Sequence, residues 1–238
     1  MKTNDLRIEI YADGADIQGM KNEYAKGIVT GFTTNPTLMK KAGITSYSDF
    51  SKEILKEITE LPISMEVFSD DFDVMGEEAR EISSWGKNVF VKIPITNARG
   101  ESSVPLIKKL SEEGLKLNIT AVFTLDQTKA VLDVLKQGSE NIISIFAGRI
   151  MDAGFDAEEI MKEAAKLCKE KGNARLLWAS CREVFNIVQA DRCGVDIITV
   201  TNDILAKLGN LGKNLEQFSL ETVQMFARDS KALGFSIL

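Results

Sequence analysis

Short runs of apolar, mostly β-branched residues recur along the chain at intervals of roughly 20 to 35 residues. Some of them, such as Ile142–Phe146 (IISIF) and Asp196–Val200 (DIITV), are almost continuously apolar. That pattern is typical of strands buried on both faces, as in a parallel sheet. The predicted strands are Arg7–Tyr11, Ile28–Thr33, Ile63–Phe68, Val89–Ile95, Leu117–Phe123, Asn141–Phe146, Arg175–Ala179 and Asp196–Val200.

Segments with helical periodicity separate these runs. In one of them Ile54, Leu55 and Ile58 fall on a single helix face. In another, Asp156 is placed to cap the N-terminus and Gly172 to end the helix. The predicted helices between strands are Ser46–Glu60, Asp70–Ser84, Ser102–Glu113, Leu125–Gln137 and Asp156–Lys171.

Eight strands alternating with helices favour an α/β fold, a single (β/α)8 TIM barrel over residues 1–238. An open, doubly wound sheet shows the same alternation. However, no GxGxxG motif follows the first strand, which argues against a dinucleotide-binding sheet. An additional amphipathic C-terminal helix is predicted at Leu215–Leu233, where it could cap the barrel or contact a neighbouring subunit.

Composition and charge exclude several classes of function. The chain carries 29 basic and 35 acidic residues, a net charge of −6, which argues against an electrostatic nucleic-acid binder. It contains no histidine, so Ser–His–Asp catalysis, Cys–His catalysis and His-ligated zinc are ruled out. We therefore expect acid–base chemistry to use carboxylates, lysine, tyrosine, cysteine or water. No acidic cluster has a recognisable metal-loop spacing, so no metal is expected.

The cysteines and the N-terminal segment favour a cytoplasmic protein. Cys168, Cys181 and Cys193 form no CxxC pair, and their odd number favours reduced thiols over a disulfide framework. Met1–Ile10 is charged throughout and lacks the apolar segment of a signal peptide. No apolar run approaches the roughly 18 residues of a membrane span.

Polar residues interrupt or follow the apolar runs near the carboxyl ends of the predicted strands. In a barrel these ends meet at one face, where active sites form. The interrupting residues are therefore candidates for chemistry. They are Asp13, Thr33, Thr34, Asn35, Glu66, Lys92, Asn118, Thr120, Ser144, Arg149, Ser180 and Arg182.

Lys92 is the most informative of these residues because it lies within an apolar strand. Alternation places it on one face with Phe90 and Pro94. Burial of an ammonium is costly unless it is paired or loses its proton. A desolvated lysine has a lowered pKa and can act as a nucleophile towards carbonyls. From position alone, a nucleophile and a structural ion pair with Glu66 both remain open.

Other candidates have structural explanations of their own. Asp13 could be a turn residue or helix cap, and Asn35 precedes a proline as turn residues often do. Asn118 and Thr120 could satisfy buried hydrogen bonds.

Arg149 and Arg182 together are more specific. They follow consecutive predicted strands, whose loops lie close together. Two guanidinium groups there suit a phosphate, through charge-assisted hydrogen bonds.

The segments around these residues resemble the transaldolase family, which includes the fructose-6-phosphate aldolases. They occur in family order, from the first strand to the eighth, and depart from the family pattern at two places. SIFAGR lacks the proline of SPFVGR, and Cys181 stands where many relatives have phenylalanine. The matching segments are ADGADI, GFTTNPTLM, MEV, VKIPIT, NITAVFT, ISIFAGRI, LWASCRE and CGVDIITVTNDIL.

The resemblance implies a class I mechanism in a metal-free barrel that acts on sugar phosphates. Lys92 would attack the ketone of a ketose phosphate and form a Schiff base. Asp13 would take the proton from the C4 hydroxyl while the C3–C4 bond breaks. Glu66 and Thr120 would hold a catalytic water for proton transfers.

The resemblance also implies substrate contacts. Asn35 and Asn118 would bind the dihydroxyacetone unit, with Ser144 in support. Arg149 and Arg182 would bind the sugar phosphate, and Ser180 belongs to the same matched segment as Arg182.

The favoured activity is therefore that of a transaldolase of the pentose phosphate pathway. It would pass dihydroxyacetone from a ketose phosphate, such as sedoheptulose 7-phosphate or fructose 6-phosphate, to an aldose phosphate. The close alternative is a fructose-6-phosphate aldolase, which releases dihydroxyacetone. Glutamine and tyrosine mark that branch at the positions of Glu66 and Phe146.

A non-catalytic sugar-phosphate-binding barrel is a third interpretation. It would be expected to lack Lys92 or Asp13, and the chain has both. The expected partners are sugar phosphates and, from the resemblance to the short branch of the family, further copies of the chain. Neither a nucleic acid nor a membrane is expected as a partner.

Overall fold

The computed structural model describes residues 5–235 and 237 of the chain. Its eight parallel strands pair in sequence order and close into a barrel, so the predicted (β/α)8 TIM barrel is confirmed. Every predicted strand is present with modest shifts at its ends. The strands are β1 (Glu9–Asp13), β2 (Gly31–Thr33), β3 (Ile63–Glu66), β4 (Val89–Pro94), β5 (Leu117–Val122), β6 (Asn141–Ile145), β7 (Arg175–Trp178) and β8 (Ile197–Thr201).

Eleven α-helices connect and follow these strands within the described residues. A short 3-10 helix, Leu208–Asn210, precedes the last one. The helices are α1 (Ile17–Lys26), α2 (Pro36–Lys41), α3 (Tyr47–Glu57), α4 (Phe72–Ser84), α5 (Val104–Glu112), α6 (Leu125–Leu132), α7 (Ala147–Asp152), α8 (Ala157–Lys171), α9 (Phe185–Arg192), α10 (Asn202–Leu205) and α11 (Leu215–Leu233).

Local capping sets several of the helix ends. Asp156 caps α8 by accepting a hydrogen bond from the Glu158 N–H, and Gly172 ends it in the left-handed conformation with φ 67°. The prediction that α6 reaches Gln137 is wrong, because the helix ends at Leu132. Beyond that point the Lys136 N–H donates to Ser111 Oγ instead of continuing the helical ladder.

The start of β1 also differs from its prediction. The strand begins at Glu9 instead of Arg7. The N–H groups of Arg7 and Ile8 donate to Asp191 Oδ1, at 2.8 and 3.1 Å, so they take no part in pairing with a neighbouring strand.

The core has two parts. The larger part lies between the strands and the surrounding helices. The smaller part fills the inside of the barrel with Tyr11, Phe90, Ile142, Leu177 and neighbouring apolar side chains. These residues form a floor, and side chains one step further along the strands lie above it because inward positions alternate.

Gly31 is part of this arrangement. The Tyr11 ring occupies the space beside it so closely that a Cβ at Gly31 would lie 2.5 Å from the ring. The glycine on β2 therefore makes room for the largest side chain of the barrel floor.

The predicted C-terminal helix is confirmed at α11, but it does not cap the barrel of its own chain. None of its 19 residues is buried. Its link to the preceding segment is an ion pair between Lys213 and Glu221, and the Lys213 ammonium lies 4.8 Å from the centroid of the Phe218 ring. Among the described residues, no helix combines the length and apolar character needed to cross a membrane.

Candidate active site

The predicted site residues converge on the carboxyl ends of the strands. A cavity of about 430 Å³ lies there, and ten of the twelve candidates line it. The exceptions are Asn118 and Thr34, which are both fully buried. The candidates that line the cavity are Asp13, Thr33, Asn35, Glu66, Lys92, Thr120, Ser144, Arg149, Ser180 and Arg182.

Lys92 lies above the barrel floor with only 6% of its surface exposed. It pairs in register with Glu66 across β3 and β4, and its Nζ lies 3.0 Å from Glu66 Oε2. The same Nζ donates to the carbonyl oxygen of Thr34 at 2.8 Å. The ion pair considered from the sequence is therefore present. An ammonium has three N–H donors, and these two acceptors account for two of them.

Asp13 lies at the end of β1 and is partly buried. Thr33 Oγ1 donates to its Oδ1 at 2.8 Å. Burial raises the pKa of Asp13 above the ordinary value for an aspartate, while the Lys92 charge and the Thr33 hydrogen bond oppose that rise and the Glu66 charge adds to it. Asp13 is thus a carboxylate whose basicity is increased by its surroundings.

Asn35 serves as the N-cap of α2. Its Oδ1 accepts a hydrogen bond from the Leu38 N–H at 2.9 Å. The structural role considered from the sequence is therefore real. The amide group also lines the cavity, so its Nδ2 donors remain available to a ligand there.

A hydrogen-bonded chain of side chains lies under the cavity. Asn118 Nδ2 donates to Ser64 Oγ at 2.9 Å, and Asn118 Oδ1 accepts from Ser144 Oγ at 2.6 Å. Asn118 therefore holds Ser144, which reaches the cavity. A direct substrate contact by Asn118 remains a prediction.

Thr120 is buried, and its hydroxyl has no hydrogen-bond partner among the described residues. Buried hydroxyls are normally paired, so this one suits a water or a substrate oxygen in the cavity. The backbone around it is irregular. Ala121 has φ 56°, and the register between β5 and β6 shifts between Ile119 and Val122.

Two arginines approach the cavity from α7 and from the segment after β7. The Arg149 guanidinium lies 5.4 Å from the centroid of the Phe146 ring. Arg182 forms an ion pair with Asp152, with its Nε 3.0 Å from Asp152 Oδ2. Because Asp152 lies on α7, one turn beyond Arg149, this helix places both guanidinium groups at the same side of the site.

The approach of these segments depends on Gly148. A Cβ at this position would lie 1.6 Å from the carbonyl oxygen of Ser180. Ser180 itself has φ 66°, a conformation that non-glycine residues rarely adopt. The contact between these two residues brings β6 and β7 loops together beside the arginines.

Sequence reasoning missed two contributors to the site, Asp152 and Thr199. Asp152 holds Arg182, while Thr199 lies behind Asp13 together with Thr33. Thr33 is one of the candidates at the strand ends, but its sequence position assigns it no role. Thr199 lies within the apolar DIITV run, where only its position on the inward-facing side of β8 could have identified it.

Other reactive groups do not add to the site. Cys181 borders the cavity, but burial raises its pKa to about 12, so it is a thiol near neutral pH. Across the described part of the chain, no three or more histidine, cysteine or acidic side chains gather as metal ligands would.

Fold and site together define a (β/α)8-barrel protein whose cavity presents a buried lysine, two carboxylates and two arginines. A family model described as transaldolase/fructose-6-phosphate aldolase matches residues 10–237. The chain therefore belongs to this family.

Individual relatives agree with the family model. A probable transaldolase of Dehalococcoides mccartyi is 36% identical over 202 residues, which cover 84% of this chain and 90% of the relative. A probable transaldolase of Streptococcus agalactiae serotype V is 35% identical, with 84% and 89% covered. One from Methanococcus maripaludis strain C7 is 34% identical, with 85% and 90% covered.

Proposed function

We propose that the protein is a class I transaldolase that carries a dihydroxyacetone unit on Lys92 from a ketose phosphate to an aldose phosphate. The observation that carries this proposal is the position of Lys92. Its amine is buried in the cavity beside Glu66, a group able to accept its proton. The names of the relatives support the same activity for them.

In the first stage, Glu66 takes a proton from the Lys92 ammonium. The neutral amine then adds to the ketone carbon, and loss of water leaves an iminium ion. A water between Glu66 and the unpartnered Thr120 hydroxyl would relay the protons of this stage. The positive nitrogen acts as the electron sink that a metal provides in other aldolases, so we expect full activity in EDTA.

In the second stage, Asp13 removes the proton from the C4 hydroxyl. The C3–C4 bond breaks, an aldose phosphate leaves, and the bonding electrons form an enamine with the Lys92 nitrogen. An acceptor aldehyde then takes the electron pair at its carbonyl carbon, and Asp13 returns the proton to the new hydroxyl. Hydrolysis of the iminium ion frees the product and restores the Lys92 amine.

The phosphate of either sugar would bind to Arg149 and Arg182. Arg149 has no carboxylate within ion-pairing distance in residues 5–235, whereas Arg182 is already oriented by Asp152. Both side chains are long and exposed at the mouth of the cavity, which suits a phosphate that remains partly solvated.

The second candidate is fructose-6-phosphate aldolase, because the matched family includes that activity by its description. Glu66 and Phe146 favour transfer. A phenylalanine presents no hydroxyl to place a water at the iminium ion, and a carboxylate at residue 66 can serve as a base. The cavity presents both Lys92 and Asp13, which argues against a non-catalytic sugar-phosphate sensor.

Borohydride trapping tests the proposed chemistry. Reduction in the presence of fructose 6-phosphate is expected to add a reduced three-carbon unit to Lys92, as measured by peptide mass spectrometry. Lys92→Ala is expected to abolish the adduct. Lys116→Ala is a matched control, since Lys116 lies near Phe90 at the opposite end of the barrel. An undiminished adduct in Lys92→Ala would overturn the assignment.

The choice between transfer and release needs a second measurement. Formation of glyceraldehyde 3-phosphate from fructose 6-phosphate is followed with and without erythrose 4-phosphate. A transaldolase is expected to give one turnover per site without the acceptor and continuous turnover with it. Equal rates with and without the acceptor would favour the aldolase.

A cytoplasmic location and a role in the pentose phosphate pathway are part of this proposal.

A further inference from the structure

Two threonine hydroxyls form a short chain that ends on Asp13. Thr33 lies on β2 and Thr199 on β8, the two strands that flank β1 in the barrel. Both residues are at least nine-tenths buried. Thr33 Oγ1 donates to Asp13 Oδ1 at 2.8 Å, and the hydroxyls of Thr33 and Thr199 are in close hydrogen-bond contact.

The number of available protons determines which hydroxyl is the donor in each of these hydrogen bonds. A hydroxyl has one proton to donate, and a carboxylate can only accept. When Asp13 is ionised, the Thr33 hydroxyl donates its only proton to Oδ1. Thr199 must therefore be the donor in the hydrogen bond between the two hydroxyls. Donation by Thr199 polarises the Thr33 hydroxyl and strengthens its bond to the carboxylate.

We propose that Thr199 is a positioning residue that acts through Thr33 to hold Asp13 as an oriented carboxylate during proton transfer. This inference rests on the proposed function, in which Asp13 is the base. Thr199 has no direct hydrogen bond to Asp13 in the described structure, so its action on the carboxylate passes through Thr33.

The charges around Asp13 explain why such support matters. Lys92 from β4 and Glu66 from β3 are the charged groups that act on the carboxyl, and the flanking strands β2 and β8 contribute the two hydroxyls. Burial and the Glu66 charge favour the neutral acid. Lys92 opposes them. When its proton passes to Glu66 and the neutral amine attacks the ketone, both of these charges disappear, and the burial that disfavours ionised Asp13 remains. In that interval the hydroxyl chain is the remaining support for ionised Asp13.

The first test is a direct titration that requires no activity. The Asp13 carboxyl is followed by 13C NMR in aspartate-labelled wild type and in Thr199→Val, which keeps the β-branched shape but lacks the hydroxyl. Loss of the donor destabilises the carboxylate, so the pKa of Asp13 is expected to rise by roughly 0.5 to 1 unit. Thr199→Ser is expected to restore the wild-type value, and Thr33→Val is expected to raise it further.

Thr201→Val is the matched control. Thr201 also lies on β8 and borders the cavity, but its hydroxyl is bonded to Asp203 Oδ1 at 2.6 Å. Its removal is expected to leave the Asp13 titration unmoved. An unmoved titration in folded Thr199→Val would overturn the proposal, and so would an unmoved titration in folded Thr33→Val. Since Thr33→Val and Thr199→Val remove different hydroxyls, failure of one variant to fold leaves the other informative.

The second test is the pH dependence of transfer. A base is inactive when protonated, so activity falls as the pH falls through the pKa of Asp13. In Thr199→Val this acid limb is expected at higher pH, with kcat roughly three- to tenfold lower below the wild-type optimum and KM unchanged. A uniform loss at all pH values would indicate a general structural defect and overturn the proposal.

The two tests separate failure of this inference from failure of the proposed function. If Lys92 forms no adduct with fructose 6-phosphate while the Asp13 titration still moves in Thr199→Val, the proposed activity fails and the hydroxyl chain stands. If the adduct forms and the Asp13 titration is unmoved in Thr199→Val, the inference about the hydroxyl chain is wrong and the proposed activity stands.

Discussion

At the scale of single residues, the site is a set of polar side chains placed one step above an apolar floor. Lys92 lies above Phe90 on β4, and Asp13 lies above Tyr11 on β1, by the alternation of a strand. The sequence could predict these positions because a polar residue inside an apolar run is conspicuous. It could not predict Asp152 or Thr199, because their partners, Arg182 and Thr33, are distant in the sequence and come close only in the fold.

Phe146 provides a test of transfer against release. Its ring lies beside Phe123, with centroids 5.8 Å apart, and under the Arg149 guanidinium. Phe146→Tyr adds a hydroxyl that can place a water near the iminium ion. The ratio of release to transfer is expected to rise roughly tenfold, the effect of about one well-placed hydrogen bond. Addition of Glu66→Gln is expected to raise the ratio further.

The measurement is the formation of glyceraldehyde 3-phosphate with and without erythrose 4-phosphate. Phe123→Tyr serves as a control, because Phe123 contacts the same ring without lining the cavity. An unchanged ratio in Phe146→Tyr would show that this ring does not govern access of water.

Arg149 and Arg182 provide a test of phosphate recognition. Substitution of either by alanine removes charge-assisted hydrogen bonds of roughly 1.5–3 kcal/mol each, so KM for fructose 6-phosphate is expected to rise tenfold or more. Steady-state kinetics with unphosphorylated dihydroxyacetone as donor are expected to change much less. An equal loss with both donors would point instead to a general defect of the site.

At the scale of elements, the strands are predictable and the short helices are not. Several of the eight strands carry almost continuous apolar runs, which are typical of strands buried on both faces. Helices α2, α7 and α10 span six, six and four residues, too few for a helical period to stand out. Helix α7 nevertheless carries Arg149 and Asp152, so an element that positions both arginines has no clear helical signature in the sequence.

The junction of α7 with the segment after β7 predicts a sensitive glycine. Gly148→Ala would place its Cβ against the Ser180 carbonyl oxygen, and relief of that overlap must shift backbone. We expect destabilisation of roughly 1–3 kcal/mol, or a lowering of Tm by several degrees. Gly209→Ala is the control, because nothing lies within 4 Å of its added Cβ. Equal Tm values for the two variants in thermal unfolding would contradict this account.

At the scale of the whole molecule, α11 is the feature that the barrel does not explain. It carries exposed apolar side chains along its length, and none of its residues is buried against the chain's own barrel. Val223 and Phe226 are 60% and 59% exposed. Apolar surface of this kind marks interaction sites. We therefore expect copies of the chain to assemble into a homo-oligomer that buries α11.

Sedimentation of the full chain tests this expectation. The wild type is expected to sediment above the 26.3 kDa of one chain. Val223→Glu together with Phe226→Glu places charge in the apolar contact, where burial of an unpaired carboxylate is costly, so the assembly is expected to dissociate. Gln224→Glu, which adds one negative charge at an exposed polar position of the same helix, is expected to leave it intact. A wild type that sediments as a single chain would show that α11 does not drive self-association.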